Sequence, residues 1–139
     1  MKVMVLGKAT EQSEAGELGS AEEFAAMNEF NVKLVEAGVV LAADGLQPTS
    51  KGKRVAFDAD GNTRVIDGPF AETKELIAGF SIWEVASMEE AVEWVKRSPL
   101  RDCEVELRKI FDADDFGDSL PAEIAAAEQR MSAESAAQQ

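Results

Sequence analysis

Two short signatures constrain this chain more than any other part of it: Ser20-Ala21-Glu22-Glu23 and Ser87-Met88-Glu89-Glu90. In each, a serine is followed three residues later by a glutamate. That is the pattern in which a hydroxyl and a carboxylate satisfy the free amides at the start of a helix. Behind the first, Phe24, Met27, Phe30, Leu34 and Val35 recur at roughly helical spacing, and Gly38 supplies a stop. Behind the second, Met88, Ala91, Val92 and Val95 form one stripe with Glu89, Glu93 and Lys96 outside it, and Ser98-Pro99 closes the helix. Each helix lies between two apolar runs. Lys2 to Leu6 and Val39 to Leu46 flank the first; Leu76 to Val85 and Glu104 to Phe111 flank the second. These runs are rich in β-branched residues or alternate in polarity, so they read as strands. In the last, Val105 and Leu107 face in, while Glu104, Glu106 and Arg108 face out.

The connections complete the pattern. Lys8 to Gly19, with two glycines and scattered glutamates, reads as a loop. Gln47-Pro48 and Lys51-Gly52 turn the chain. Lys53 to Asp58 and Thr63 to Asp67 then flank Asp58-Ala59-Asp60-Gly61-Asn62, a run of turn formers that predicts an exposed, peripheral β-hairpin. The order strand, helix, strand, hairpin, strand, helix, strand is the split βαβ pattern of a ferredoxin-like α+β fold. Residues 1–111 form this domain. Residues 112–139 add an acidic connector (Asp112, Asp114, Asp115, Asp118), a short helix from Ala122 to about Met131, and a frayed end. Two helices cover one face of a four-stranded sheet. Apolar side chains on the other face predict a homodimer packed sheet against sheet.

Bulk properties narrow the function. At 139 residues the chain is long enough for one core. Its net charge of −13 repels phosphate backbones and anionic membrane surfaces. The basic groups Lys51/Lys53/Arg54, Lys96/Arg97/Arg101 and Arg108/Lys109 are short and neighboured by carboxylates, so direct nucleic-acid binding is disfavoured. No apolar run approaches the ~18–20 residues of a membrane span, and the N-terminal run is too short for a secretory signal. The single cysteine, Cys103, excludes an intrachain disulfide and reads as a small buried hydrophobe in a cytoplasmic protein. Without histidine there is no usual general base, no zinc site and no Cys–His pair, and no cofactor is expected. Asp44, Asp67 and Glu72 could offer oxygen ligands to a divalent ion, but no loop has metal-site spacing. Trp83 and Trp94 read as core or interface anchors.

One stretch carries more chemistry than a turn requires: Asp67-Gly68-Pro69-Phe70-Ala71-Glu72-Thr73-Lys74-Glu75. Gly68 and Pro69 fix the backbone directly after a strand, and four ionisable groups surround them. The preorganised Asp67 suits a general base or an acceptor for a ligand. Glu72 and Lys74 could pair to orient a substrate, and Asp44 could complete a cluster. Two carboxylates within ~4–6 Å would raise the pKa of one. The structural alternative is an Asx-turn at Asp67 with Glu72 as a cap. Asn28 and Asn31 lie beside the apolar stripe of the first helix, so Asn28 either reaches a ligand pocket or is a solvated boundary residue.

This stretch, continued by Leu76-Ile77-Ala78-Gly79-Phe80, resembles the signature of the DGPF-type proteins of the YCII-related superfamily. Ala37-Gly38-Val39, Asp44-Gly45-Leu46-Gln47-Pro48 and Glu93-Trp94 support the match, and Ile110 to Gly117 resembles a longer subgroup. The resemblance implies a ferredoxin-like fold paired as a dimeric α/β barrel. It also implies a link to extracytoplasmic-function sigma factors, which DGPF proteins often accompany. Wider relatives carry a His–Asp pair in the barrel cleft, a role that does not transfer to a chain without histidine. Three functions follow as expectations. The first is a small-molecule-binding protein with a cleft by the loop formed by Asp67, Gly68, Pro69 and Phe70, with room for weak enzymatic activity there. The second is a regulatory protein linked to a sigma factor through a basic partner. The third is a lyase or hydrolase using carboxylate acid/base chemistry.

Overall fold

A computed structural model describes residues 1–71, 75–119 and 121–138. Both expected helices begin at the expected serines. In α2 (Ala21–Glu36) the Ser20 hydroxyl accepts the Glu23 amide, and in α3 (Met88–Lys96) the Ser87 hydroxyl accepts the Glu90 amide. The return half of the second box is displaced by one residue: Glu90 Oε2 accepts the amide of Ala86 at 2.6 Å. A complete capping box forms where none was expected. Thr10 and Ser13 cap each other's amides and start a single-turn helix, α1 (Glu11–Glu14), within the predicted loop.

Four strands form one antiparallel sheet: β1 (Lys2–Lys8), β2 (Val40–Gly45), β5 (Ile77–Glu84) and β6 (Val105–Lys109), in the order β2-β5-β1-β6. With α2 after β1 and α3 after β5, this is the ferredoxin-like α+β arrangement. The hairpin strands β3 (Lys53–Phe57) and β4 (Thr63–Asp67) pair only with each other and make a separate two-stranded sheet. Its turn is held by Asp58, whose carboxylate accepts the amides of Asp60 and Asn62 at 2.9 Å. After 3₁₀ turns across Ala113–Ser119, the last helix, α4 (Ala122–Ala137), runs on through the segment expected to fray.

The register assigns every strand residue to a face. Val3, Val5 and Gly7 pair with Trp83, Ser81 and Gly79, and this face meets the helices. Here lies the core, in which Val3, Phe30, Leu34, Val39, Trp83, Val85 and Ala91 pack together. Leu34 is 2% exposed, so truncating it to alanine would cost about 2–5 kcal/mol. Phe24 and Val35, expected in the same stripe, are 56% and 64% exposed. Cys103 is likewise exposed and not buried, since it precedes β6. The opposite face carries Met4 opposite Ile82 and Leu6 opposite Phe80, all only partly buried.

Candidate functional site

The loop after β4 is organised by one close approach. A side chain at Gly68 would place its Cβ 1.6 Å from the Thr49 carbonyl oxygen, so only glycine fits. The Gly68 amide donates to the Gly52 carbonyl at 3.0 Å, and the Phe70 amide donates to Thr49 Oγ1 at 3.1 Å. Thr49 is itself fixed from α1: its amide donates to Glu14 Oε1 at 3.1 Å and its hydroxyl to Glu14 Oε2. The Arg54 guanidinium stacks 4.0 Å above the Phe70 ring. Pro69 follows Gly68 through a cis peptide bond. Asp67 forms no Asx-turn; it pairs across the hairpin with Lys53, and both side chains are largely exposed. Glu72 and Lys74 lie outside the described residues.

At the end of the same stretch, Glu75 reaches the main sheet. Lys8 lies between Glu75 at 3.3 Å and Glu106 at 3.4 Å, and Arg108 binds Glu106 from the other side at 3.3 Å. Burial works against the Lys8 charge, but the two carboxylates outweigh it and hold the ammonium pKa above its ordinary value. Glu106 is held below the usual carboxylate range by the Arg108 hydrogen bond and then by Lys8. Lys8 and Glu106 are partly buried; Glu106 and Arg108 lie opposite Leu6 and Met4 on the face without helices, outward-facing as expected.

A separate cleft of about 580 Å³ opens between α2, the helix-covered face of the sheet and the end of α3. Its floor is unusual. Gly45 pairs with Gly79, and Gly79 pairs with Gly7, so three neighbouring strands present bare backbone in one row. Ala43, Ser81 and Val5 form the next row. Phe24, Met27, Phe30 and Leu34 of α2 form one wall; Val95, Ser98 and Leu100 close the other side. Asn31 borders the cleft and Asn28 does not, so the amide at the pocket is the neighbour three residues on. Asp44 borders it too, but it pairs with Phe80, and strand alternation turns its side chain to the opposite face. Asp67, Gly68, Pro69 and Phe70 are absent from its lining. Among the described residues, no three acidic or cysteine side chains gather as a metal site, and no helix is long and apolar enough to cross a membrane.

The profile of the YCII-related domain matches residues 1–114. The chain belongs to the YCII-related family. That match covers the sheet, α2, α3, the hairpin and the loop, and stops before α4. A curated relative, an uncharacterized protein of Rhizobium meliloti (strain 1021), is 42% identical over 64 residues. The aligned part is 46% of this chain and 51% of the relative, so the chain spans about half the length of the relative it matches. Among solved structures, the 5-chloro-2-hydroxyhydroquinone dehydrochlorinase of Burkholderia phenoliruptrix AC1100, in complex with 2,5-dihydroxybenzoquinone, aligns over 83% of this chain and 98% of its own. Its identity is 14% and its TM-score 0.46.

The glycine row is what sequence reasoning missed in this YCII-related chain. Each glycine carried a local explanation: a strand end at Gly7, a polar break at Asp44-Gly45, an interior position at Gly79. Their alignment depends on register, which no one strand encodes.

Proposed function

We propose that this YCII-related protein binds a small organic molecule in the cleft between α2 and the sheet. The glycine row carries this reading. Glycine inside a strand costs about 0.5–1 kcal/mol relative to alanine, and it marks places where another backbone or a ligand approaches closely. Gly7, Gly45 and Gly79 all have ordinary, non-positive φ angles. Among the described residues, a Cβ at Gly45 would meet nothing within 4 Å, and one at Gly7 would only touch Gly79 O at 3.7 Å. Neither backbone geometry nor the chain's own packing requires glycine at these two positions. Room for a molecule against the sheet does. The cleft is in the size range of small-molecule sites, and its walls are apolar with few polar groups, as such sites are.

The reading is binding in the first place. Of the carboxylates suggested for acid/base work, the two among the described residues are not gathered here: Asp67 is on the hairpin, and Asp44 is turned to the other face. The same proposal includes a homodimer. Met4, Leu6, Phe80 and Ile82 form a partly exposed apolar stripe on the face without helices, and a second copy would cover it.

A thermal-shift screen of a metabolite library tests the site. A compound that raises the melting temperature of wild type and Asp67→Asn, but not of Gly45→Leu, supports the cleft. Stabilisation lost in Asp67→Asn and kept in Gly45→Leu would move the site to the loop. If no compound stabilises the wild type, the regulatory reading gains, and a basic, sigma-factor-linked protein becomes the partner to seek.

A further inference from the structure

The lining of the cleft is specific enough to name the chemistry of its ligand, an inference that rests on the binding reading above. Among the described residues, no lysine, arginine or glutamate borders the cleft, and the one aspartate has its side chain on the other face of the sheet. A charged ligand would lose its hydration there with no opposite charge among those residues in return. The floor favours a flat body. Gly45, Gly79 and Gly7 lie side by side on adjacent strands, which gives bare backbone roughly 10 Å across, two inter-strand spacings of about 4.8 Å. Aromatic side chains, Phe24 and Phe30 from α2 and Trp83 from the sheet, stand around it. A planar ring system can lie on such a floor at van der Waals distance and meet those rings edge-on or offset.

Asn31 and Ser98 border the cleft, Trp83 Nε1 is a buried donor without a partner among the described residues, and Ser81 is the polar side chain in the row beside the glycines. Ser81 is two residues from Gly79 on the same face of β5 and is partly buried. Its hydroxyl donates to the Ala42 carbonyl at 3.0 Å. A serine hydroxyl has one proton and two lone pairs, so with its proton committed Ser81 can only accept. We infer that the cleft takes an uncharged, flat, largely apolar molecule that carries an O–H or N–H donor, and that Ser81 receives this donor. Ser81 is thus a specificity-determining residue of the site.

Three naphthalene probes of nearly equal shape separate the terms: 2-naphthol (neutral, donor), 2-methoxynaphthalene (neutral, no donor) and naphthalene-2-sulfonate (anion). Each is titrated into the full chain by probe fluorescence. In the wild type the naphthol is expected to bind about three- to tenfold tighter than the methyl ether, the value of one net hydrogen bond, and the sulfonate weakest. Ser81→Ala should remove the difference between the neutral pair and leave the ether unchanged. Gly45→Leu should abolish binding of both. If Gly45→Leu blocks both probes but the ether binds as well as the naphthol, or Ser81→Ala weakens both equally, the donor assignment is overturned while the cleft stands. Tightest binding by the sulfonate overturns the uncharged class. If both neutral probes bind and Gly45→Leu leaves them unaffected, the cleft reading falls together with this one. If neither neutral probe binds the wild type, the ligand class is overturned.

Discussion

Replacing Gly68 by alanine adds one methyl group where there is no space for it. The new Cβ would lie 1.6 Å from the Thr49 carbonyl oxygen, 2.6 Å from its carbon and 3.3 Å from the Gly52 carbonyl oxygen. All three are backbone atoms, so no rotamer change relieves the overlap. The loop must move off the Thr49–Lys51 turn. It then loses the Gly68 amide bond to Gly52, the Phe70 amide bond to Thr49 and the stacking of Arg54 on Phe70. Together these contribute on the order of 2–3 kcal/mol. The hairpin is its own two-stranded sheet, and such a sheet is marginal without its docking contacts. The loss should therefore appear as local opening and not as global unfolding. Amide hydrogen exchange at Gly68 and Phe70 should accelerate about 30- to 150-fold, while amides of β1 and β5 keep their wild-type protection. Unchanged exchange at Gly68 and Phe70 would refute the close-approach argument. Gly45→Ala, whose Cβ meets nothing within 4 Å, is the control.

That control carries its own expectation: relief of a strand glycine should stabilise the protein by about 0.5–1 kcal/mol, a rise of about 2–5 °C in Tm by calorimetry. Asp67→Asn should change stability by less than about 1 kcal/mol in denaturant titration, because Asp67 and Lys53 form an exposed pair. Asp58 is held below the usual carboxylate range by the Asn62 side chain, then by the Asn62, Asp60 and Gly61 amides. Its contribution to the hairpin is present above the unfolded value of about 3.9 and is lost as pH falls through its lower folded value. The Asp60 and Asn62 amides should therefore lose protection only below about pH 4, and Asp58→Ala should remove that step. On the proposed sheet-to-sheet pairing, the wild type should sediment as a dimer and Ile82→Glu as a monomer in analytical ultracentrifugation; a monomeric wild type, or a variant with the same mass distribution as a dimeric wild type, would refute that pairing.

Much of the architecture was legible because it is encoded locally. Ser20 and Ser87 announce their helices through a single side chain each, and the turn formers Asp58 to Asn62 announce the hairpin. Where the reading failed, the cause was non-local or atypical. Thr10 is capped back by Ser13 in place of the usual glutamate, so α1 went unread. Phe24 has the spacing of a core residue, but it is exposed and becomes a wall of the cleft. Asn28 and Asn31 differ by less than one turn, and only the position of the sheet decides which one borders the cleft. In the loop at Asp67, Gly68 is stereochemically obligatory and Phe70 is stacked. Those demands come from packing against Thr49 and Arg54. The cleft, by contrast, is built from an absence of side chains, and absence leaves no motif.

The glycine row also bears on how this site can change over generations. A glycine codon becomes an alanine or valine codon by a single nucleotide substitution. At Gly45, where a side chain would enter open space, such a step adds strand propensity while it makes the cleft shallower. Most mutations that reshape a binding site must be tolerated against a stability threshold; this one moves away from that threshold. Lineages that need to admit a smaller molecule, or none, can reach that state in one neutral-to-favourable step, whereas reopening the cleft requires giving the stability back. Retention of glycine at Gly7 and Gly45, where the chain's own packing does not require it, would therefore be a signature, across related chains, of selection on what the cleft holds.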